Sequence, residues 1–582
     1  MIFRPRHNLR RRLLGLTVSA LLLGPLAAAA DTELGQTSFG NYLAGRHAQA
    51  THDLTAATDY LGAALAQAPK APDLLRRTFV LMTIEGRIEE ALTLAKRLLK
   101  DKPKSPIANL VLAVDDLKQG RYAGLQKRLK AQPQEGLNGF TAPLLSAWGY
   151  AGQKKFDAAL TALAPLAENK GSEALHDMHR ALILEFAGKT TEAEAALIEL
   201  TKDESLGSFR LVQHLGRLYE RQGKRDAAGA LYQRYRDENA GSTLLDEATA
   251  RLAAKRSPSK QISTVQDGAA EALFSIGNSL RQQSARETAM VVARLALYLK
   301  PVFPITQVMI ADILEGTDRL ADANAIYRAI PMDSPFRESS TLRLAVNLNK
   351  MDQTDAALEV LEATAKRRAT DPRPLIQMGD VLRREERWDE AIVAYDRAVR
   401  RIGELDAAHW RMLYTRGIAL ERANRWPDAE RDFLKALEFE PDQPYVLNYL
   451  GYSWIDKGMH LDRAQEMIRK AVSLRPNDGY IVDSLGWAYF RTGSFAKAVS
   501  ELERAVEYRP EDPVINDHLG DAFWRVGRRV EARFQWRRAL SLKPSETVIN
   551  EIKKKLKQGL ADNPPERKSP DDTAKASTPD KS

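Results

Sequence analysis

The stretch Asp483–Ala505, DSLGWAYFRTGSFAKAVSELERA, decides the fold. It reads as helix, yet Gly486 sits inside it, where glycine costs about 1 kcal/mol against alanine. Ala498 follows twelve residues later and Ala505 seven after that. Sliding the stretch by 34 residues places Gly486 on Gly520, Leu485 on Leu519, Tyr489 on Phe523, Ala498 on Ala532, Ala505 on Ala539 and Pro510 on Pro544. Sliding it back finds Gly451, Trp454, Ala464, Ala471 and Pro476, with one residue inserted. Gly417, Ala429, Phe433, Ala436 and Pro441 come before that, and then Gly379, Ala391, Tyr395 and Ala398.

A period of 34 with this small-residue pattern is that of the tetratricopeptide repeat, a helix–turn–helix unit. The small residues lie where two antiparallel helices cross, and proline closes the second helix because it cannot continue it. The pattern fades toward the N-terminus but persists at Gly277/Ala289/Ala296, Gly216/Ala228/Tyr232 and Gly86/Ala91/Pro103. The stretches 105–137 and 338–371 fit it poorly. About fourteen hairpins are expected between 37 and 547. Each buries its apolar face only against its neighbours, which predicts an all-α, right-handed superhelical solenoid.

The organisation predicted around the repeats is as follows. Residues 1–30 read as a signal peptide, with a basic segment, the apolar LLGLTVSALLLGPL and Ala28/Ala30 before the cut. The mature chain is expected to begin near Asp31 in the periplasm, exported through the general or the twin-arginine route. An N-terminal array covers 31–254 and a C-terminal array 269–547. The polar, turn-rich 255–268 (KRSPSKQISTVQDG) divides them, either as a plain surface loop or as a hinge. Residues 548–560 form an amphipathic cap through Val548, Ile549, Ile552 and Leu556. The tail 561–582 lacks apolar periodicity and reads as disordered.

Composition excludes several functions. The net charge is +9, but five arginines lie in the acid-free first thirty residues; setting them aside leaves +4, so no nucleic-acid partner is implied. There is no cysteine, hence no disulfide, thiolate metal site, thiol nucleophile or lipid-modified N-terminal cysteine. No stretch after the signal approaches a membrane span. Gly188-Lys189-Thr190 lacks the glycine and the strand of a phosphate-binding loop. His176 and His179 make half a metal site and read as exposed histidines on a repeat helix. Ser257 and Lys260 mimic a serine–lysine spacing in the loop, without support. No catalytic residue, metal or cofactor is expected.

The remaining candidate is a surface. The first helix of each hairpin should line a groove, and the positions facing it hold Tyr414, Tyr445, Asn448, Tyr452, Tyr480, Asp483, Trp487, Arg491, Asp517, Asp521 and Arg525. Tyr, Trp and Arg dominate binding hot spots. The ladder Asn448, Asp483, Asp517 is expected to repel a partner's carboxylate and favour neutral or basic segments, or exposed main chain.

Residues 449–528 resemble the C-terminal arrays of bacterial outer-membrane lipoproteins that partner carboxy-terminal processing proteases. The KGMHLDRA turn (457–464), DSLGW (483–487) and DHLGDAFW (517–524) carry the resemblance. It implies a non-catalytic periplasmic adaptor that holds a protease and delivers its substrates. Those relatives carry a lipidated cysteine that this chain lacks. The alternative is a structural scaffold in an export or polysaccharide-secretion complex.

Overall fold

The computed structural model describes residues 34–169, 171–202 and 208–561, and the secondary structure there is helical. The expected signal peptide and the tail from 562 lie outside the described residues. The chain divides into two compact units between Thr364 and Ala365.

The first unit opens with the hairpins α1 (Ser38–Ala50) and α2 (Leu54–Gln67), α3 (Pro72–Ile84) and α4 (Ile88–Asp101), and α5 (Pro106–Lys118) and α6 (Tyr122–Lys130). Next, α7 (Leu137–Gly152) pairs with α8 (Phe156–Ala162), which continues into α9 (Ala164–Glu168). Then come α10 (Glu173–Phe186) with α11 (Thr190–Leu200), α12 (Phe209–Arg221) with α13 (Arg225–Glu238), and the single helix α14 (Asp246–Ala253). The unit ends with α15 (Val265–Gln282) and α16 (Arg286–Leu299), α17 (Pro304–Glu315) and α18 (Leu320–Arg328), and α19 (Arg337–Lys350) and α20 (Thr354–Arg367), within which the division falls.

The second unit contains α21 (Arg373–Arg384) with α22 (Trp388–Ile402), α23 (Trp410–Arg422) with α24 (Trp426–Phe439), and α25 (Pro444–Lys457) with α26 (Leu461–Leu474). It ends with α27 (Gly479–Arg491) and α28 (Phe495–Tyr508), α29 (Pro513–Arg525) and α30 (Arg529–Ser541), and finally α31 (Glu546–Gln558). The described residues thus hold fourteen hairpins, as the period predicts.

A backbone signature marks every hairpin turn. A residue there has positive φ, at 52, 86, 120, 154, 188 and 223, and again at 284, 318, 352, 386, 424, 458, 493 and 527, with His460 a second one in the α25–α26 turn. The spacing is 34 or 35, broken where α14 and its loop intervene and where four extra residues precede α23, between 386 and 424. Ser494 N–H donates to Tyr489 O at 2.8 Å and Arg528 N–H to Phe523 O at 2.9 Å, capping the first helix of each hairpin. Besides His460, seven of these positions are not glycine: His52, Lys154, Ser284, Asp318, Asp352, Glu386 and Asn424. The repeat therefore includes 105–137 and 338–371, which the side-chain pattern had left doubtful. Gly86 is corrected by the same register. It is a turn glycine equivalent to Gly493, and Phe79 occupies the helical glycine's place.

The helical glycines meet a large residue one helix on. A methyl group on Gly486 would lie 2.5 Å from Leu502 Cγ; on Gly520, 2.5 Å from Trp536 Cδ1; on Gly417, 2.6 Å from Phe433; on Gly379, 2.5 Å from Tyr395. The partner is sixteen residues away each time, and Ala532 O also lies 3.2 Å from the Gly520 position. Gly486→Ala should therefore destabilise despite alanine's better helix propensity, by about 1–2 kcal/mol net, because Leu502 and its backbone must shift. Denaturant midpoints check this; an unchanged or higher midpoint would contradict it.

The 255–268 division is not where the structure separates. The helices that follow it pack on the start of the chain: α15 on α7, and α16 on α3 and α5. Arg294 Nε donates to Ile84 O at 2.8 Å, Arg319 pairs with Glu85 at 2.7 Å, and the Tyr298 hydroxyl donates to Asp115 at 3.0 Å. Trp148, fully buried, fills the space over Gly268, where a methyl group would sit 2.3 Å from its ring. Residues on both sides of the segment thus belong to one compact unit, a contact set that local sequence reading does not reveal.

Candidate functional site

The predicted groove positions lie on α23, α25, α27 and α29, all in the second unit. Tyr414 is half-buried, edge-on to Tyr449 at 6.0 Å, and burial pushes its hydroxyl up to about 12. Tyr445 is 42% exposed, with Arg475 5.8 Å from its ring centre. Asn448 Oδ1 is buried without a hydrogen-bond partner. The half-buried Tyr452 hydroxyl is raised by burial and then by Asp483 and Asp456. Tyr480 lies under Arg509 at 5.2 Å. Arg491 pairs with Asp456 at 3.2 Å, and Arg525 stands 5.9 Å from the Phe495 ring centre.

The centre of the surface is an aromatic stack. Trp487 lies parallel to Phe490 at 4.9 Å and to His518 at 4.1 Å. His518 Nδ1 is 2.9 Å from Asp483. Burial opposes charge on His518, but the Asp483 carboxylate outweighs it, so its pKa lies above the usual imidazole value.

The acidic ladder is arranged differently from the expectation. Asp483, Asp517 and Asp521 are buried, not open groove walls. Lys555 of α31 places Nζ 2.7 Å from Asp517 and 2.8 Å from Asp521, and Trp536 Nε1 donates to Asp521 at 2.9 Å. Burial raises Asp521 above the ordinary carboxylate range, with Lys555 opposing. Asp517 and Asp521 thus have an internal cation, Lys555, and Asp483 has His518 as a close partner, which weakens the basis for repelling a partner's carboxylate. The helix α31 (Glu546–Gln558) lies against the last hairpin: Ile552 is fully buried, with Val548, Leu556 and Leu560 packed beside it. His518 and Lys555 were missed by sequence reasoning. Their signals, a histidine in DHLGD and a lysine run on the cap's face, are common on solvated helices.

The other motifs resolve structurally. Gly188 has φ +81° and makes a hairpin turn, with Thr190 opening α11. Ser257 and Lys260 are exposed in the connection before α15. His179 corrects the reading of two exposed histidines: it is fully buried and accepts a hydrogen bond from Trp148 Nε1 at 3.2 Å, while His176 contacts Asp177 at 2.8 Å. Burial pulls the His179 pKa down to about 4. Among the described residues no cluster of His, Asp or Glu suits a metal ion. No described helix is long and apolar enough to cross a membrane. The first unit also holds a cavity of about 880 Å³, lined by Phe140, Met178, Phe209, Phe274 and Met309, with Arg210 and Glu271 on its wall.

The tetratricopeptide repeat family profile matches residues 180–243, 376–444, 456–513 and 484–546. These segments are tetratricopeptide repeats. The all-α repeat solenoid predicted from the period is the fold observed. A 161-residue segment is 27% identical to a TPR repeat-containing protein of Pseudomonas aeruginosa, covering 27% of this chain and 26% of that one. The match thus spans about a quarter of that relative's length. Similar solved structures include the Cut9–Hcn1 hetero-tetramer of APC/C, at 14% identity over 91% of this chain and 100% of that one, with a TM-score of 0.37. Yeast Tom70 is 14% identical over 89% of this chain and 95% of its own, with a TM-score of 0.33. A tetratricopeptide repeat protein of Parabacteroides merdae is 16% identical over 50% of this chain and 97% of its own, with a TM-score of 0.32.

Proposed function

We propose that this chain is a non-catalytic, exported tetratricopeptide-repeat protein of the periplasm that holds protein partners on its C-terminal unit. The supporting observation is the row of partly exposed Tyr445, Tyr452, Tyr480, Trp487 and Arg491 on successive first helices. Rigid aromatic and guanidinium groups on packed helices are the chemistry of binding hot spots. The buried, neutralised acids leave aromatic contact and hydrogen bonding as the means of grip. The finer reading is an adaptor for a processing protease and its substrates, acting by raising their local concentration.

The test is crosslinking in the intact envelope followed by purification of the chain. Recovery of a protease with its substrates supports the adaptor. A synthase and pore would replace it with the secretion scaffold. Tyr452→Ala and Trp487→Ala should each weaken partner binding by about 2 kcal/mol. Thermal melts belong alongside, because Trp487 also stacks on His518. Normal recovery by both variants, stably folded, would overturn the groove assignment.

A further inference from the structure

The outer face of α30 departs from those of the two second helices that precede it, α28 and α26. Its inner side packs Ala532, Trp536 and Ala539. On its outer side Val530 is 81% and Phe534 65% exposed, and Val526, just before the helix, is also exposed. One repeat earlier the places of Val530, Phe534 and Arg537 hold Ala496, Ser500 and Glu503; two repeats earlier they hold Asp462, Glu466 and Arg469. The ordinary solvated face has thus been replaced by an apolar stripe at helical spacing.

Cations rim this stripe. Arg529, Arg533, Arg537 and Arg538 are exposed, and among the described residues none pairs with a carboxylate. Arg529 and Arg533 lie 4.6 and 5.9 Å from the Trp524 ring centre. The one acid on the helix, Glu531, is engaged by Arg528 at 3.1 Å. The neighbouring α31 adds exposed Lys553, Lys554 and Lys557. Elsewhere in this unit arginines commonly meet carboxylates, as Arg416 meets Asp432 and Arg387 meets Glu390.

We infer that this face docks on a bilayer surface bearing anionic phospholipid headgroups. Charge complementarity selects the occupant: unpaired arginines meet phosphates, while Phe534 and Val530 enter the headgroup–acyl boundary. A single convex helix face gives a peptide no cleft to lie in, whereas a lipid surface deforms around a protruding ring. With only two well-exposed apolar anchors, the attachment is weak, reversible and salt-sensitive.

The test is co-sedimentation of the full chain with vesicles of phosphatidylglycerol and phosphatidylcholine, and of phosphatidylcholine alone. The double variant V530S/F534S and the double variant R533Q/R537Q are compared with the parent. Any contribution of the apolar N-terminal stretch is common to all three, so the difference is read. Partition onto anionic vesicles should fall about tenfold in each variant and should weaken in high salt for the parent. The substituted side chains are exposed, and melting curves confirm that the variants fold. Equal partition of parent and variants would overturn the proposal. A concentration-dependent dimer abolished by V530S/F534S, without a change in vesicle binding, would overturn it in favour of a second copy. Lipid binding that emerges only on deletion of 562–582 would overturn it in favour of the chain's own tail.

Discussion

Replacing Lys555 with alanine is expected to cost the C-terminal unit about 3 kcal/mol, the order seen when one partner of a buried ion pair is removed. Lys555 is the cation between Asp517 and Asp521, and all three side chains are largely shielded from water. Without it two neighbouring carboxylates face each other in a poorly solvated place. Asp521 is already raised by burial, so it takes up a proton more readily in the variant, and this limits the penalty. The sign with pH follows. A carboxyl whose folded pKa exceeds its unfolded value disfavours the fold when ionised, so the variant should regain stability as pH falls from 7 toward 5. Repeat arrays are held by neighbour contacts, so the damage should begin at the cap. Denaturant midpoints at both pH values, with hydrogen exchange over 546–558, provide the check. Lys555→Met separates the lost charge from the lost packing of the stem. An unchanged midpoint and protected cap amides in Lys555→Ala would contradict the account.

Glu271→Ala should cost the first unit about 4 kcal/mol. Arg210 Nε donates to Glu271 at 2.8 Å, its second nitrogen engages the other carboxylate oxygen, and His214 approaches at 3.8 Å. Burial would raise the Glu271 carboxyl, but Arg210, with His214, overrides it and holds it well below the usual range. A carboxyl depressed in the fold lends stability above its unfolded pKa and loses it as pH falls through the folded value, so the contribution is complete at neutral pH. Arg210 lies on α12 and Glu271 on α15, on either side of the 255–264 connection. The variant therefore tests whether that connection joins or separates. Glu271→Gln, which keeps one acceptor, should recover part of the loss. A midpoint within about 1 kcal/mol of the parent for Glu271→Ala would show that the pair is not what ties α15 to α12.

The residues explain why some features were legible and others were not. Gly486 and Gly520 are visible in the chain because a helix crossing excludes a methyl group, and each crossing repeats after 34 residues. The turn position is nearly invisible, because Asp318, Asp352 or Glu386 can adopt positive φ at about 1 kcal/mol, within what packing on both sides offsets. The cap was legible as an amphipathic helix, with Ile552 on its apolar side. Its lysine was not, since a lysine beside two others on a helix normally faces water.

The sequence by itself therefore determined the repeat and its approximate hairpin count, and it singled out the amphipathic 548–560 and the aromatic positions as expectations. These follow from local periodicity, which is strongest in the repeats from 376 onward. Tertiary structure decided which groups are buried and paired: Lys555 with Asp517 and Asp521, His518 with Asp483 and Trp487, and Glu271 with Arg210. It also decided that α15 and α16 pack on α7 and α3, so that the compact unit runs on to Thr364. The physical reason is that charge neutralisation depends on partners 34 to more than 200 residues away, whose approach is set by the accumulated geometry of many hairpins rather than by any one of them.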